Sequence, residues 1–122
     1  MKVRLDHIGI AVVDAPSATA WYRERLGLHV DHVEHVDSQK VKAHFMAAGE
    51  CLIELLEATA PSSPIARFLE KRGPGLHHVA LAVDDIGAAL AELKAAGVRL
   101  IDQEPRPGAE GALVAFIHPA EA

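Results

Sequence analysis

Apolar and polar positions alternate along Leu5-Asp6-His7-Ile8-Gly9-Ile10-Ala11-Val12, and the apolar ones are mostly β-branched or leucine. That pattern predicts a strand. A helical pattern follows from Pro16 to Leu26 and stops at Gly27. Residues 28–36, 41–48 and 51–57 read as three more strands, the last two joined by a turn at Gly49-Glu50. A Pro- and Ser-rich stretch over 58–64 leads into a short helix at 64–72, which Gly73-Pro74-Gly75 breaks. A strand then opens at Leu76, a helix runs from Asp85 to Ala96 and stops at Gly97, and strands follow at 98–102 and 113–117.

The second strand–helix pair repeats the first. Leu5, His7, Ala11, Val12, Asp14, Ala18 and Ala20 each meet the same residue 71 places further on. The chain therefore reads as two βαβββ modules, residues 1–57 and 76–122, joined by a linker with a short helix at 58–75. The fold class is α+β. The second module lacks its final strand.

Composition narrows the function. Twelve Lys and Arg against seventeen Asp and Glu give a net charge of −5. That disfavours nucleic acid, whose binding rests on cations neutralising phosphates. No run approaches the roughly 18 apolar residues of a membrane span, and the N terminus lacks a signal-length apolar stretch. A single cysteine, Cys51, excludes an internal disulfide and points to a reducing, cytoplasmic setting.

Strand periodicity separates two faces. Ile8, Ile10 and Val12 share one, suited to packing under the following helix, as do Val79, Leu81 and Val83 in the repeat. His7 lies on the other with Gly9 and Ala11, and His78 lies with Ala80 and Ala82. Small neighbours beside a histidine suggest a cavity wall. His77 falls on the packing face, so His78 is the candidate of that pair. A strand histidine is commonly a hydrogen-bonded structural residue; equivalence under the repeat strengthens the ligand reading. Glu54 sits among apolar residues of the 51–57 strand, where a carboxylate must be paired, ligating or solvated. Two imidazoles and one carboxylate suit a divalent transition metal with open positions. By the repeat, an equivalent of Glu54 falls near position 125, past Ala122. Glu57, at the strand end, reads as a solvated loop residue.

With these motifs the chain resembles the vicinal oxygen chelate (glyoxalase/bleomycin resistance/dioxygenase) superfamily, and within it the methylmalonyl-CoA epimerase branch. The likeness also runs through Ser63-Pro64-Ile65-Ala66-Arg67-Phe68-Leu69-Glu70-Lys71-Arg72-Gly73, Gly75-Leu76-His77-His78-Val79-Ala80, Pro105-Arg106-Pro107-Gly108 and Phe116-Ile117-His118-Pro119. The resemblance implies a curved mixed sheet of paired modules around a metal-binding cleft. It implies a racemase/epimerase that inverts C2 of methylmalonyl-CoA by proton abstraction and return through a metal-stabilised enolate. It implies His7, Glu54 and His78 as ligands of a divalent ion, cobalt first, with manganese, nickel or zinc as alternatives. It also implies a fourth ligand, a Glu that doubles as acid/base on the last strand, beyond Ala122, so no catalytic acid/base is assigned within these residues. The chain departs from the family at Asp37-Ser38-Gln39-Lys40, where a Glu-Gln-Gly run is common, and at Ala43, where some members carry a carboxylate.

A CoA thioester substrate needs local cations for its phosphates, and Arg67, Lys71 and Arg72 on the short helix are the candidates, against a merely solvated helix face. Two readings stay open beside the epimerase: a glyoxalase-type isomerase, and a metal-free ligand-binding module of the same fold. Exposed strand edges favour a homodimer. His29, His32 and His35 scatter over both faces of their strand, Trp21 and Tyr22 read as core, and His118 serves either a pocket or a turn.

Overall fold

The computed structural model describes residues 1–121. Strand β1 (Val3–Ala11) is followed by helix α1 (Ala15–Leu26), then β2 (Val30–Val36), β3 (Val41–Ala48), β4 (Cys51–Ala58), helix α2 (Pro64–Arg72), β5 (Gly75–Val83) and helix α3 (Ile86–Ala95). Five strands form one sheet in the order β2-β3-β4-β1-β5. It is mixed, with β1 parallel to β4 and β2–β3–β4 antiparallel. Contacts group the chain into two compact units, residues 5–81 and residues 1–4 with 82–121.

Capping residues set the helix limits. The Asp14 carboxylate accepts from the Ser17 backbone N–H at α1, and the Asp85 carboxylate accepts from the Ala88 N–H at α3. These aspartates are 71 residues apart, so the repeat extends from strand through cap to helix. Gly27 closes α1 at φ 70°, a left-handed cap that glycine adopts without steric cost. The Glu57 carboxylate, expected in solvent, instead accepts from the Ala15 N–H at 2.9 Å and so caps α1 from β4. At α2 the fully buried Ser63 hydroxyl accepts from Ile65 N–H and donates to the Gln39 carbonyl at 3.1 Å.

The sheet has two distinct faces. Val12, Met46 and Leu55 are buried with Ala15 of α1, and Ile10, Ile53, Val30, Ala18 and Tyr22 pack around them. This is the packing face that periodicity assigned to Ile10 and Val12. Trp21 departs from its expected core role and is half exposed. In β5, Val79 and Leu81 were expected on a covered face, yet they are 53% and 58% exposed. β5 is an edge strand of its sheet.

The later strands expected at 98–102 and 113–117 are mostly absent. β6 (Arg106–Pro107) and β7 (Leu113–Val114) are two-residue strands, and Leu100 and Ile117 form an isolated bridge. Pro105, Pro107, Gly108 and Gly111 lie in this run. Proline lacks a ladder donor and glycine weakens extended backbone, so pairing stays local. The Phe116 carbonyl accepts from the Ile101 N–H at 2.8 Å, and the Asp102 carboxylate adds to this pairing by accepting from the Phe116 N–H at 2.8 Å. His118 serves a turn, its Nδ1 accepting from the Ala120 N–H at 3.1 Å. The missing final strand lies outside the described residues.

Among the described residues, Lys40 is the non-glycine residue with positive φ, at 52°. A side chain there costs about 1 kcal/mol relative to glycine, and its ammonium donates only to the exposed Ser62 hydroxyl. Lys40→Gly is therefore expected to stabilise the chain by about 1 kcal/mol, read as a higher urea midpoint with an unchanged m-value. A lower midpoint would show that the Ser62 contact outweighs the backbone strain.

Candidate metal centre

The parallel β1–β4 register sets Gly9 opposite Glu54 and His7 opposite Leu52. Paired residues on parallel strands face the same side, so Glu54 projects from the face that carries His7 and Gly9, away from α1. β5 lies on the other side of β1 and brings His78 to the same place. His7 Nε2 is 3.1 Å from His78 Nε2 and 3.1 Å from Glu54 Oε2. The three donor atoms all lie within 4.8 Å of one another, and this is the one such group of three among the described residues.

Glu54 is 6% exposed and flanked by Ile53, Leu55 and Leu56. A buried carboxylate without a partner costs several kcal/mol, and His7 Nε2, 3.1 Å away, is among the groups that face it. The donor set also fits a divalent ion. Ligands about 2.1 Å from a metal and at right angles to each other are about 3.0 Å apart, close to the observed 3.1 Å spacings. Two nitrogens and one oxygen leave positions for water or substrate.

Gly9 decides where His78 sits. A Cβ built on Gly9 would lie 2.2 Å from His78 Cε1 and 2.5 Å from its Nδ1, so the imidazole occupies the space a side chain would take. The small residue was expected to leave an open cavity wall; the ring of a ligand candidate fills that opening instead. Burial, followed by the nearby His7 and His77, pushes His78 down to about 4. Burial likewise lowers His77.

Neighbours that the sequence reading passed over support the cluster. An Asp6 carboxylate oxygen lies 2.8 Å from His7 Nδ1, and His77 Nδ1 lies 2.9 Å from His78 Nδ1. His77 also meets Phe68 of α2 edge-on, with centroids 4.9 Å apart. A ligand histidine generally holds a partner on its other nitrogen, and the polar residues just before His7 and His78 are the signal for these contacts in the sequence.

Arg67, Lys71 and Arg72 lie exposed on α2 and are not part of the cluster. Two histidines of the 28–36 segment have surroundings of their own. His32 stacks on Phe45 at 4.5 Å, while His29 lines a separate cavity of about 380 Å³ with Thr19, Arg23, Val30 and His44. The expected fourth ligand falls outside the described residues.

Comparison with known proteins adds to this geometry. Residues 6–116 match the Glyoxalase/Bleomycin resistance protein/Dioxygenase superfamily. The chain is 42% identical over 120 residues to the ethylmalonyl-CoA/methylmalonyl-CoA epimerase of Cereibacter sphaeroides, covering 97% of this chain and 90% of that protein. A variant of Streptomyces coelicolor methylmalonyl-CoA epimerase in complex with 2-nitronate-propionyl-CoA superposes with TM-score 0.90 at 35% identity, over 97% of this chain and 86% of that one. The methylmalonyl-CoA epimerase of Mycobacterium tuberculosis gives TM-score 0.90 at 39% identity, over 96% and 79%. No helix among the described residues is long and apolar enough to cross a membrane.

The lowered histidines have a consequence for stability. Unfolded, His44, His77 and His78 take up protons near the ordinary value of 6.5; folded, burial keeps them neutral to lower pH. The unfolded state thus binds more protons between about 6.5 and about 4, and stability falls as pH falls through that window. The urea midpoint of the metal-free chain should drop between about pH 7 and about pH 5, and drop less in His78→Asn. A midpoint flat across that range would contradict the burial of these rings.

Proposed function

The chain belongs to the Glyoxalase/Bleomycin resistance protein/Dioxygenase superfamily, and from that premise we propose that it is an epimerase inverting C2 of methylmalonyl-CoA with a divalent ion held by His7, Glu54 and His78. One observation carries the reading: a buried cluster of two imidazole nitrogens and a carboxylate oxygen. It occurs in a chain similar, over nearly its whole length, to epimerases of CoA esters.

Each residue has a definable task. Imidazole ligates through a neutral nitrogen lone pair, and burial of His78 keeps its ring neutral down to about 4. Glu54 contributes the one anionic donor, so the three residues would leave a divalent ion with net positive charge. The bound ion, cobalt before manganese, nickel or zinc, would supply Lewis acidity to a thioester carbonyl and so acidify the adjacent C2 proton. Inversion takes that proton from one face and returns one to the other.

Arg67 and Lys71 lie one turn apart on exposed α2, with Arg72 at its end. They offer cations to the phosphates of CoA despite the chain's net charge of −5. Phe68 of the same helix rests on His77, beside the ligand His78, which ties this basic helix to the cluster. β2 and β5 are the edge strands of the sheet, and pairing between copies along such an edge accords with a homodimer in the cytoplasm.

Deuterium uptake at C2 of methylmalonyl-CoA in heavy water tests the reaction. Uptake should require added divalent metal and fall by roughly 100-fold or more with chelator or in His7→Ala. Uptake indifferent to chelator removes the metal from the reading. Turnover of a hemithioacetal in its place would favour the glyoxalase-type isomerase, and ligand binding with neither metal nor turnover the binding module. The helix is tested separately. Lys71→Glu should raise KM for the CoA ester about fivefold with kcat unchanged, the worth of roughly 1 kcal/mol. An unchanged KM would leave α2 a solvated face.

A further inference from the structure

The repeat that equates His7 with His78 also equates Asp6 with His77. In both halves the residue just before the histidine contacts that histidine's Nδ1: Asp6 Oδ2 at 2.8 Å, His77 Nδ1 at 2.9 Å. We propose that Asp6 and His77 are equivalent positioning residues, each holding its neighbour's Nδ1–H so that the Nε2 lone pair of His7 and of His78 points into the cluster. The inference rests on the metal-centre reading given above and extends it to residues outside the ligand set.

Proton placement follows from hydrogen-bond inventory. A neutral imidazole has one N–H and one lone pair. A carboxylate only accepts, so the Asp6 contact places the His7 proton on Nδ1 and leaves Nε2 bare. In the His77–His78 contact one ring donates and the other accepts. With His78 as donor, its Nε2 is bare and faces the bare His7 Nε2 at 3.1 Å, while His77 carries its proton on Nε2. Glu54 Oε2 adds a third acceptor 3.1 Å from His7 Nε2. Three converging lone pairs repel one another unless a cation lies between them. The opposite assignment puts a proton on His78 Nε2, inside the cluster, where it competes with the cation.

The two positions use different chemistry because their surroundings differ. Asp6 is exposed, where a charge stays hydrated. His77 is half-buried with its ring edge-on to Phe68. A carboxylate there would be desolvated, whereas a neutral ring accepts the same hydrogen bond without that cost.

Two measurements test the assignment. In the wild-type chain loaded with diamagnetic Zn2+, 15N shifts of the imidazoles should show the Nδ1–H tautomer at His7 and His78 and the Nε2–H tautomer at His77. Finding Nε2–H at His78, or Nδ1–H at His77, in that state overturns the proposal. Co2+ affinity is then measured by competition with a chelator. His77→Phe and Asp6→Ala should each lose about 10- to 100-fold. His77→Asn, whose side-chain oxygen sits where Nδ1 sat, should recover most of the loss. His7→Ala is the control for the centre itself and should abolish binding. If His7→Ala abolishes binding while His77→Phe and Asp6→Ala bind like wild type, the centre stands and the positioning role is overturned. If His7→Ala binds like wild type, the centre is overturned and the proposal with it. Should His77→Phe fail to fold, His77→Asn and the wild-type tautomers still decide.

Discussion

The site depends on a side chain that is missing. Gly9 lies opposite Glu54 in the β1–β4 pair, and the His78 imidazole fills the volume above it, within 2.2 Å of where a Cβ would be. Any side chain at position 9 displaces the ring, and the 3.1 Å approach of His78 Nε2 to His7 Nε2 goes with it. The glycine weakens β1 by roughly 0.5–1 kcal/mol, as glycine does in a strand interior. Pairing on both sides, to β4 and to β5, holds the strand in spite of that.

Everything else in the cluster follows from register. Leu55 and Ile53 face α1 while Glu54, between them, faces the other way. A slip of one residue in β4 would drive the carboxylate into the Met46–Leu55 core and turn two large apolar side chains outward. The core therefore fixes the orientation of the polar residue: hydrophobic burial on one face pins a desolvated charge on the other. The Glu57 carboxylate adds to the same constraint, since its bond to the Ala15 N–H ties the end of β4 to the start of α1.

Much of this was legible in the chain. The 71-residue repeat located both histidines, strand alternation set His78 rather than His77 on the face that carries His7, and the helical patterns with their Gly stops marked α1 and α3 within a residue or two. Other features were not. Alternation describes which way a side chain leaves the backbone, not what lies above it, so Gly9 read as an empty wall and Val79 and Leu81 read as covered. Glu57 was placed in solvent because its partner, the Ala15 N–H, is 42 residues away in sequence. The 98–118 run kept its apolar residues, yet its prolines and glycines reduced the expected strands to short pairs. The substitution of Lys40 for a family glycine was visible as a departure; that the position has positive φ was not.

A duplicated strand is an economical way to build a two-histidine site. Equivalent positions on neighbouring strands of one sheet face the same side, so placing β1 beside β5 brings His7 and His78 together. Duplication alone makes the two halves alike, and the cluster is not alike. Its carboxylate comes from β4, two strands removed from β5, and the residues before the two histidines have diverged into an exposed carboxylate and a half-buried imidazole. The backbone supplies convergence, and side-chain divergence at repeat-equivalent positions adapts each half to its own solvent exposure. The same contrast holds between the exposed basic side chains of α2 and the buried Glu54: cations in solvent stay hydrated without a partner, whereas a buried carboxylate needs groups that face it.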